Sequence, residues 1–285
     1  MEPGSGSYFT SNSFFKTSLL TISFTGIYHY KSEMMQDRFF NPTVVTADSI
    51  TVVEKKPAVK TKKVKTIYLT FDDGPNRGTQ HVADIAIAEQ VPVTFFIIGE
   101  HVRNSRQQYN MFDSLKNNGL FEIANHSYTH CRGCGYANFY SRPDSVIKDF
   151  EKAAISLSIS SGIIRTPGRN IWRLQNIKCT DIKNSTAAAD SLQNIGFTAL
   201  GWDLEWHFTK QQTCQQTPAQ MLDEVDSAFA KNQTKTPGHL VLLAHDNMYR
   251  SSADSTALHN FIISLKQKDE YNFETVSKYP GIKKD

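Results

Sequence analysis

TIYLTFDDGP, at residues 66–75, begins as a buried β-strand and ends as a turn. Ile67, Leu69 and Phe71 supply the apolar strand, and Gly74-Pro75 breaks it. Asp72 and Asp73 stand between the two. Successive strand side chains face opposite sides, so the two carboxylates are expected to point apart and to take different tasks. One could hold a cation while the other moves a proton. An Asp-Asp-Gly at a strand end is also ordinary turn chemistry with both acids in water, and the string alone leaves both readings open.

Working outward from this strand, apolar runs alternate with helix-like ones. GTQHVADIAIAEQ (78–90) reads as a helix, PVTFFIIG (92–99) as the next strand, and QQYNMFDSLKNNG (107–119) as a helix capped by Gly119. LFEIANHS (120–127), GIIRTPG (162–168), FTALGWDLEW (197–206) and HLVLLAHD (239–246) read as further strands. Helical patterns lie between them at 145–158, 185–195 and 217–231, and SSADSTALHNFIISLKQKD (251–269) forms the last. Such alternation predicts an α/β fold of parallel βα units closed as a barrel. Functional residues in such folds gather at the C-terminal ends of strands.

The 285 residues suffice for one large domain, read as residues 64–285, and an N-terminal extension, residues 1–63. A net charge of +3 falls far short of a nucleic-acid binder, so no nucleic-acid partner is expected. KKPAVKTKKVK (55–65) carries six lysines and reads as a solvated linker. No apolar stretch is long enough to span a bilayer. TSLLTISFTGIY (17–28), after Lys16, has the length of a secretory apolar region, although Thr and Ser dilute it and no small-residue cleavage site follows. It is the sole candidate for membrane association. An envelope, periplasmic or secreted location is therefore favoured over the cytoplasm, and a monomer is assumed. Cys131 and Cys134 form CRGC, while Cys179 and Cys214 stand alone, so no second CxxC completes a structural zinc knuckle. Four thiols and two disulfides are both allowed.

Four further blocks sit at strand ends. In HSYTH, His126 and His130 are four apart, and on one helical turn such a pair faces one ion. Arg165 of RTP could orient a carboxylate, or be a surface cation in a Pro-Gly turn. GWDLEW (201–206) offers Asp203, Glu205, Trp206 and a second indole, and LLAHD (242–246) ends in His245. Each block alone has an ordinary structural explanation. Their shared position at strand ends does not.

Taken in order, TFDDGP (70–75), HSYTH (126–130), RTP (165–167), the Trp-containing block (202–206) and LAH (243–245) resemble the polysaccharide deacetylase family, or NodB homology domain. TFFIIG (94–99) is similar to that family's second strand, and the likeness covers roughly residues 64–270. The resemblance implies a distorted (β/α) barrel, usually of seven strands, that hydrolyses N- or O-acetyl groups on carbohydrate. It makes Asp73, His126 and His130 ligands of a divalent metal, zinc first, with cobalt, nickel or manganese as alternatives. It makes Asp72 the general base, held in place by Arg165, and His245 the general acid that protonates the departing amine. A backbone N–H near Asp73 or Gly168 would stabilise the oxyanion. The acetylated glycan is the implied partner. Two departures bear on substrate: Gly168 stands where the family has an aromatic, and Asp203 or Glu205-Trp206 must replace the Asp-Trp pair that tunes the acid histidine. A barrel amidohydrolase on a small C–N bond and a catalytically silent carbohydrate-binding relative are the alternatives.

Overall fold

The computed structural model describes residues 65–282. The expected extension at 1–63, including residues 17–28 and all but Lys65 of the lysine run, lies outside the described residues. From Lys65 the chain runs β1 (Lys65–Gly74), α1 (Arg77–Glu89), β2 (Val93–Ile97), α2 (Gly99–Arg103), α3 (Arg106–Lys116) and β3 (Phe121–Asn125). It continues through α4 (Tyr136–Tyr140), α5 (Pro143–Leu157), β4 (Ile163–Ile164), β5 (Ile171–Arg173), β6 (Lys178–Thr180) and α6 (Thr186–Asn194). Then come β7 (Thr198–Ala199), β8 (Leu204–Glu205), α7 (Pro218–Ala230), β9 (His239–His245), α8 (Ser252–Gln267) and β10 (Tyr271–Phe273).

All of these strands join one sheet in the order β6-β5-β7-β4-β3-β2-β1-β9-β8, with β10 beside the start of β1. The row β7-β4-β3-β2-β1-β9-β8 is parallel throughout and holds seven strands. Among the described residues no ladder joins β7 to β8, so the sheet curls as a distorted barrel without closing there. β5 and β6 form an antiparallel hairpin, which the sequence reading missed because each strand is only three residues long.

The long central strands are apolar on both faces, as buried parallel strands must be. Ile67, Leu69 and Phe71 of β1 pack with Val82 and Ala86 of α1 and Phe261 and Leu265 of α8. On the opposite face Tyr68 packs with Phe96, Val241, Trp172 and Tyr279 inside the barrel. Each fully buried Phe contributes roughly 1.5–3 kcal/mol by removal of apolar surface from water. Alternation carries this interior face from Tyr68 through Thr70 to Asp72, so the first of the two acids enters the barrel mouth. α1 starts behind Asn76, whose side chain accepts from Gly78 N while Thr79 caps in return. The turn after DDGP is thereby fixed to a helix.

Where the sequence reading overshot, strands were shorter than their apolar runs. GIIRTPG gives a strand only at Ile163–Ile164, and FTALGWDLEW divides into β7 and β8. Gly119 is not a cap, since α3 ends at Lys116 with Asn117 as its C-cap. No helix among the described residues is long and apolar enough to cross a membrane.

Candidate active site

Asp72 lies beside His245 in the β1–β9 register and beside Phe96 in the β1–β2 register. The register then slips between Asp72 and Gly74, and Asp73 takes a φ of +75°. This left-handed backbone, which costs roughly 1–3 kcal/mol for a residue with a side chain, cancels the strand alternation. The expectation that the two acids point apart is therefore corrected. Asp72 Oδ2 lies 3.6 Å and Asp73 Oδ1 3.3 Å from the same atom, His126 Nε2.

His126 follows β3 and is buried. Its Nδ1 lies 2.9 Å from the Arg165 carbonyl, which can only accept, so Nδ1 carries a proton and Nε2 faces the acids. His130 arrives by a loop rather than by the helical turn expected from its spacing. Ser127 and His130 have φ values of +66° and +49°. The loop is held by Ser127 N donating to Asn125 Oδ1, by His130 N donating to Ser127 Oγ, and by Tyr128 N and Thr129 N donating to Asp149. The two imidazoles end with ring centroids 5.0 Å apart, and His130 Nε2 is also 3.3 Å from Asp73 Oδ1.

Asp73, His126 and His130 thus offer three ligand atoms within 4.8 Å of one another and could hold a metal ion. The donor set fits one: Asp73 Oδ1 is buried and has no hydrogen-bond partner. The charge balance fits as well. Burial opposes the charged form of Asp73, but the neighbouring His126 and the charges of His126, His130 and His245 hold it well below the usual carboxylate range. Burial also opposes a charged His126, yet Asp72 and Asp73 outweigh it and raise its pKa. His130 falls to about 4 through burial and the proximity of His126, so its imidazole is neutral at physiological pH, the form that could ligate a metal. The cluster demands positive charge at one point, where a proton or a metal ion can sit.

Arg165 is wholly buried, not the surface cation its Pro-Gly setting allows. Its guanidinium donates to Asp72 Oδ1 at 2.8 Å, to Thr70 Oγ1 at 2.7 Å, and to the Leu200 and Gly201 carbonyls. It stacks 4.0 Å from the centre of the Phe96 ring. Four of its five N–H donors have these acceptors, and Asp72 is clamped through one oxygen only.

His245 ends β9 with Nδ1 buried and unpartnered, and Phe208 meets its ring at 5.0 Å between centroids. Neither Asp203 nor Glu205 hydrogen-bonds to it. The Asp203 carboxylate accepts from Lys235 N at 2.7 Å and Val241 N at 2.9 Å, and Glu205 lies 3.5 Å from His207. Trp206 is in the core, against Tyr249 and Phe261, and donates to the Gln216 carbonyl. Gly168 has a φ of +61° and lies under the Tyr136 ring. All four cysteines are thiols, with Cys131 buried and Cys134 exposed. Burial and the adjacent Cys134 raise the Cys131 pKa, which disfavours a thiolate ligand.

Two contributors escaped the sequence reading. His101 Nδ1 donates to the Asp73 carbonyl at 2.9 Å, and buried Asp246 accepts from Asn76 and Thr79, tying the DDGP turn to β9. Asp246 was visible as the acid after His245, but a buried role for it has no signature in spacing. A cleft of about 420 Å³ opens beside Asp73 and His130, lined also by Asn76, His101, Asn104 and Gln108.

Residues 59–159 match the polysaccharide deacetylase family model. Over 142 residues the chain is 39% identical to a chitooligosaccharide deacetylase of Sinorhizobium fredii, covering 49% of this chain and 57% of that protein. It is 26% identical to YheN of Bacillus subtilis over 215 residues, covering 73% of this chain and 66% of YheN. The chain thus spans less than two thirds of either relative. Its fold is similar to the catalytic domain of a peptidoglycan N-acetylglucosamine deacetylase from Eubacterium rectale, with a TM-score of 0.55 at 23% identity over 78% of this chain and 92% of that one. Sequence blocks, matched segment and shared barrel agree: residues 59–159 match the polysaccharide deacetylase model, and the fold around them is similar to that of a solved deacetylase.

Proposed function

We propose that residues 64–285 are a metal-dependent hydrolase that removes acetyl groups, N-acetyl first, from a carbohydrate polymer or oligomer. One observation carries this reading. Asp72, clamped by Arg165 through one oxygen, shares His126 with a buried Asp73 oxygen that has no hydrogen bond. Binding alone needs no such arrangement. Asp73, His126 and His130 would hold the ion, and the chemistry it supplies when bound is polarisation of the acetyl carbonyl and acidification of water. Asp72, with Oδ2 still open, accepts the proton of the attacking water. The Gly168 N–H, which makes no hydrogen bond among the described residues, is available to the developing oxyanion. His245 donates a proton to the departing amine.

Zinc suits two imidazoles and a carboxylate. The relative that acts on chitooligosaccharide and the fold shared with a peptidoglycan deacetylase support glycans of N-acetylglucosamine as substrate, and an extracytoplasmic location with them. Acetate release should be measured from chitin oligomers, peptidoglycan and acetylated xylan, with zinc, cobalt, nickel or manganese added. Release from a glycan in a metal-dependent manner is expected. A protein that binds metal and releases acetate from none of the three refutes the reading.

A further inference from the structure

The space above Gly168 is taken by a ring from another segment. A β-carbon built at Gly168 would come within 2.3 Å of Tyr136 Cζ and 2.4 Å of Cε2. The hydroxyl end of Tyr136 therefore occupies the place a side chain at 168 would need, and the absence of one is what lets it lie there. Tyr136 also meets His130 in a T-shaped contact, with ring centroids 6.1 Å apart and planes at 81°. The Arg169 guanidinium lies 5.2 Å from the Tyr136 ring centre.

Two tyrosines of α4 make the contrast that matters. Tyr140 is buried and its hydroxyl donates to the Pro167 carbonyl at 2.7 Å, which makes it a fastener between α4 and the Arg165 segment. Tyr136 is half-buried, and its hydroxyl has no hydrogen-bond partner among the described residues. A ring beside the ligand histidine with an unused hydroxyl suits the two surfaces of a pyranose, apolar C–H faces and a rim of hydroxyls.

We propose that Tyr136 is a substrate-contacting specificity residue, which orients a 2-acetamido sugar over Asp73 and His130 through its ring and its hydroxyl. The inference rests on the deacetylase reading and deepens it. The ring walls one side of the sugar, the hydroxyl bonds the rim, and the Arg169 guanidinium, 5.2 Å from the ring centre, steadies the ring.

Tyr136→Phe and Tyr136→Ala in the full chain test this. Three quantities are read: kcat and KM for acetate release from the N-acetylglucosamine tetramer, tetramer affinity of the metal-free protein by titration calorimetry, and bound metal. Loss of one hydrogen bond and one ring contact should raise KM about tenfold in Tyr136→Ala, with a matching loss of affinity in the metal-free protein. Tyr136→Phe should show about a threefold change, because it keeps the ring. Metal content should be unchanged. Unaltered KM and affinity in Tyr136→Ala overturn the inference. So does a defect confined to metal content or thermal stability, the mark of a ring that merely props His130. An active wild type indifferent to both substitutions sinks this inference alone. An inactive wild type whose tetramer affinity depends on Tyr136 sinks the deacetylase reading alone.

Discussion

Asp72, near the C-terminal end of β1, and Asp203, directly before the start of β8, are carboxylates of one curled sheet with opposite fates. Asp72 gives one oxygen to Arg165 at 2.8 Å and keeps the other 3.6 Å from His126. Asp203 spends both oxygens on backbone, on Lys235 N at 2.7 Å and Val241 N at 2.9 Å, and so ties a loop to the start of β9. A carboxylate near a strand end is chemically useful only if its neighbours leave a lone pair open. The largest test of this contrast is Asp72→Asn. Asparagine keeps the shape and still accepts from Arg165, but it cannot take a proton. Loss of a general base should lower kcat by about 10²–10⁴-fold while tetramer binding persists. Retained turnover would make Asp72 as structural as Asp203.

The clamp itself gives the next effect. Arg165→Met removes a buried cation and leaves Asp72 buried without its charge partner. Breaking one side of such a pair costs about 3–5 kcal/mol, read as a fall in urea-unfolding free energy. A variant as stable as wild type would mean that Asp72 does not depend on Arg165 for charge balance.

How far the sequence could be read follows the same division. Asp72 and His245 sit at the ends of strands of ten and seven residues, long enough for apolar pattern to fix their place and register. His126 follows a five-residue strand in the same parallel row. Asp203, Glu205 and Trp206 surround a two-residue strand, too short for period-two patterning to assign faces. The direction of Asp73 was misread because a positive φ interrupts the alternation, and the His126–His130 pair because two positive φ values replace a helical turn. Backbone excursions of this kind leave no trace in hydrophobic period. The hydroxyl of Tyr136 and the burial of Asp246 depend on contacts across more than thirty residues of chain.

Asp246 extends the comparison to pH. Burial raises its pKa to about 7, against hydrogen bonds from Thr79 and Asn76 and with added repulsion from Asp73 and Asp72. Its folded pKa lies above the unfolded value of 3.8, so the folded state holds the proton more tightly. This contribution to stability is full below the unfolded pKa and is lost as pH rises through about 7. The loss runs at up to about 1.4 kcal/mol per pH unit within the window. Asp246→Asn cannot titrate, so urea unfolding at pH 5 and pH 7 should show a smaller drop for the variant than for wild type. Equal drops would show that Asp246 carries no such proton.

The smallest effect, and the most direct check on the contrast, comes from Asp203→Asn. The amide keeps one acceptor oxygen, but it turns an NH₂ group toward the second backbone N–H. One buried donor then loses its acceptor, at a cost of about 1 kcal/mol that thermal unfolding should register. Because neither oxygen of Asp203 reaches His245, kcat and its pH profile should stay at wild-type values. If kcat fell tenfold with stability intact, Asp203 would act on the acid histidine at a distance and would belong with Asp72 on the chemical side of the sheet. If stability falls and chemistry does not, the two acids divide the labour: Asp72, near the end of β1, is kept open, and Asp203, directly before β8, is closed by the backbone of the 235 loop and of β9, the strand carrying His245.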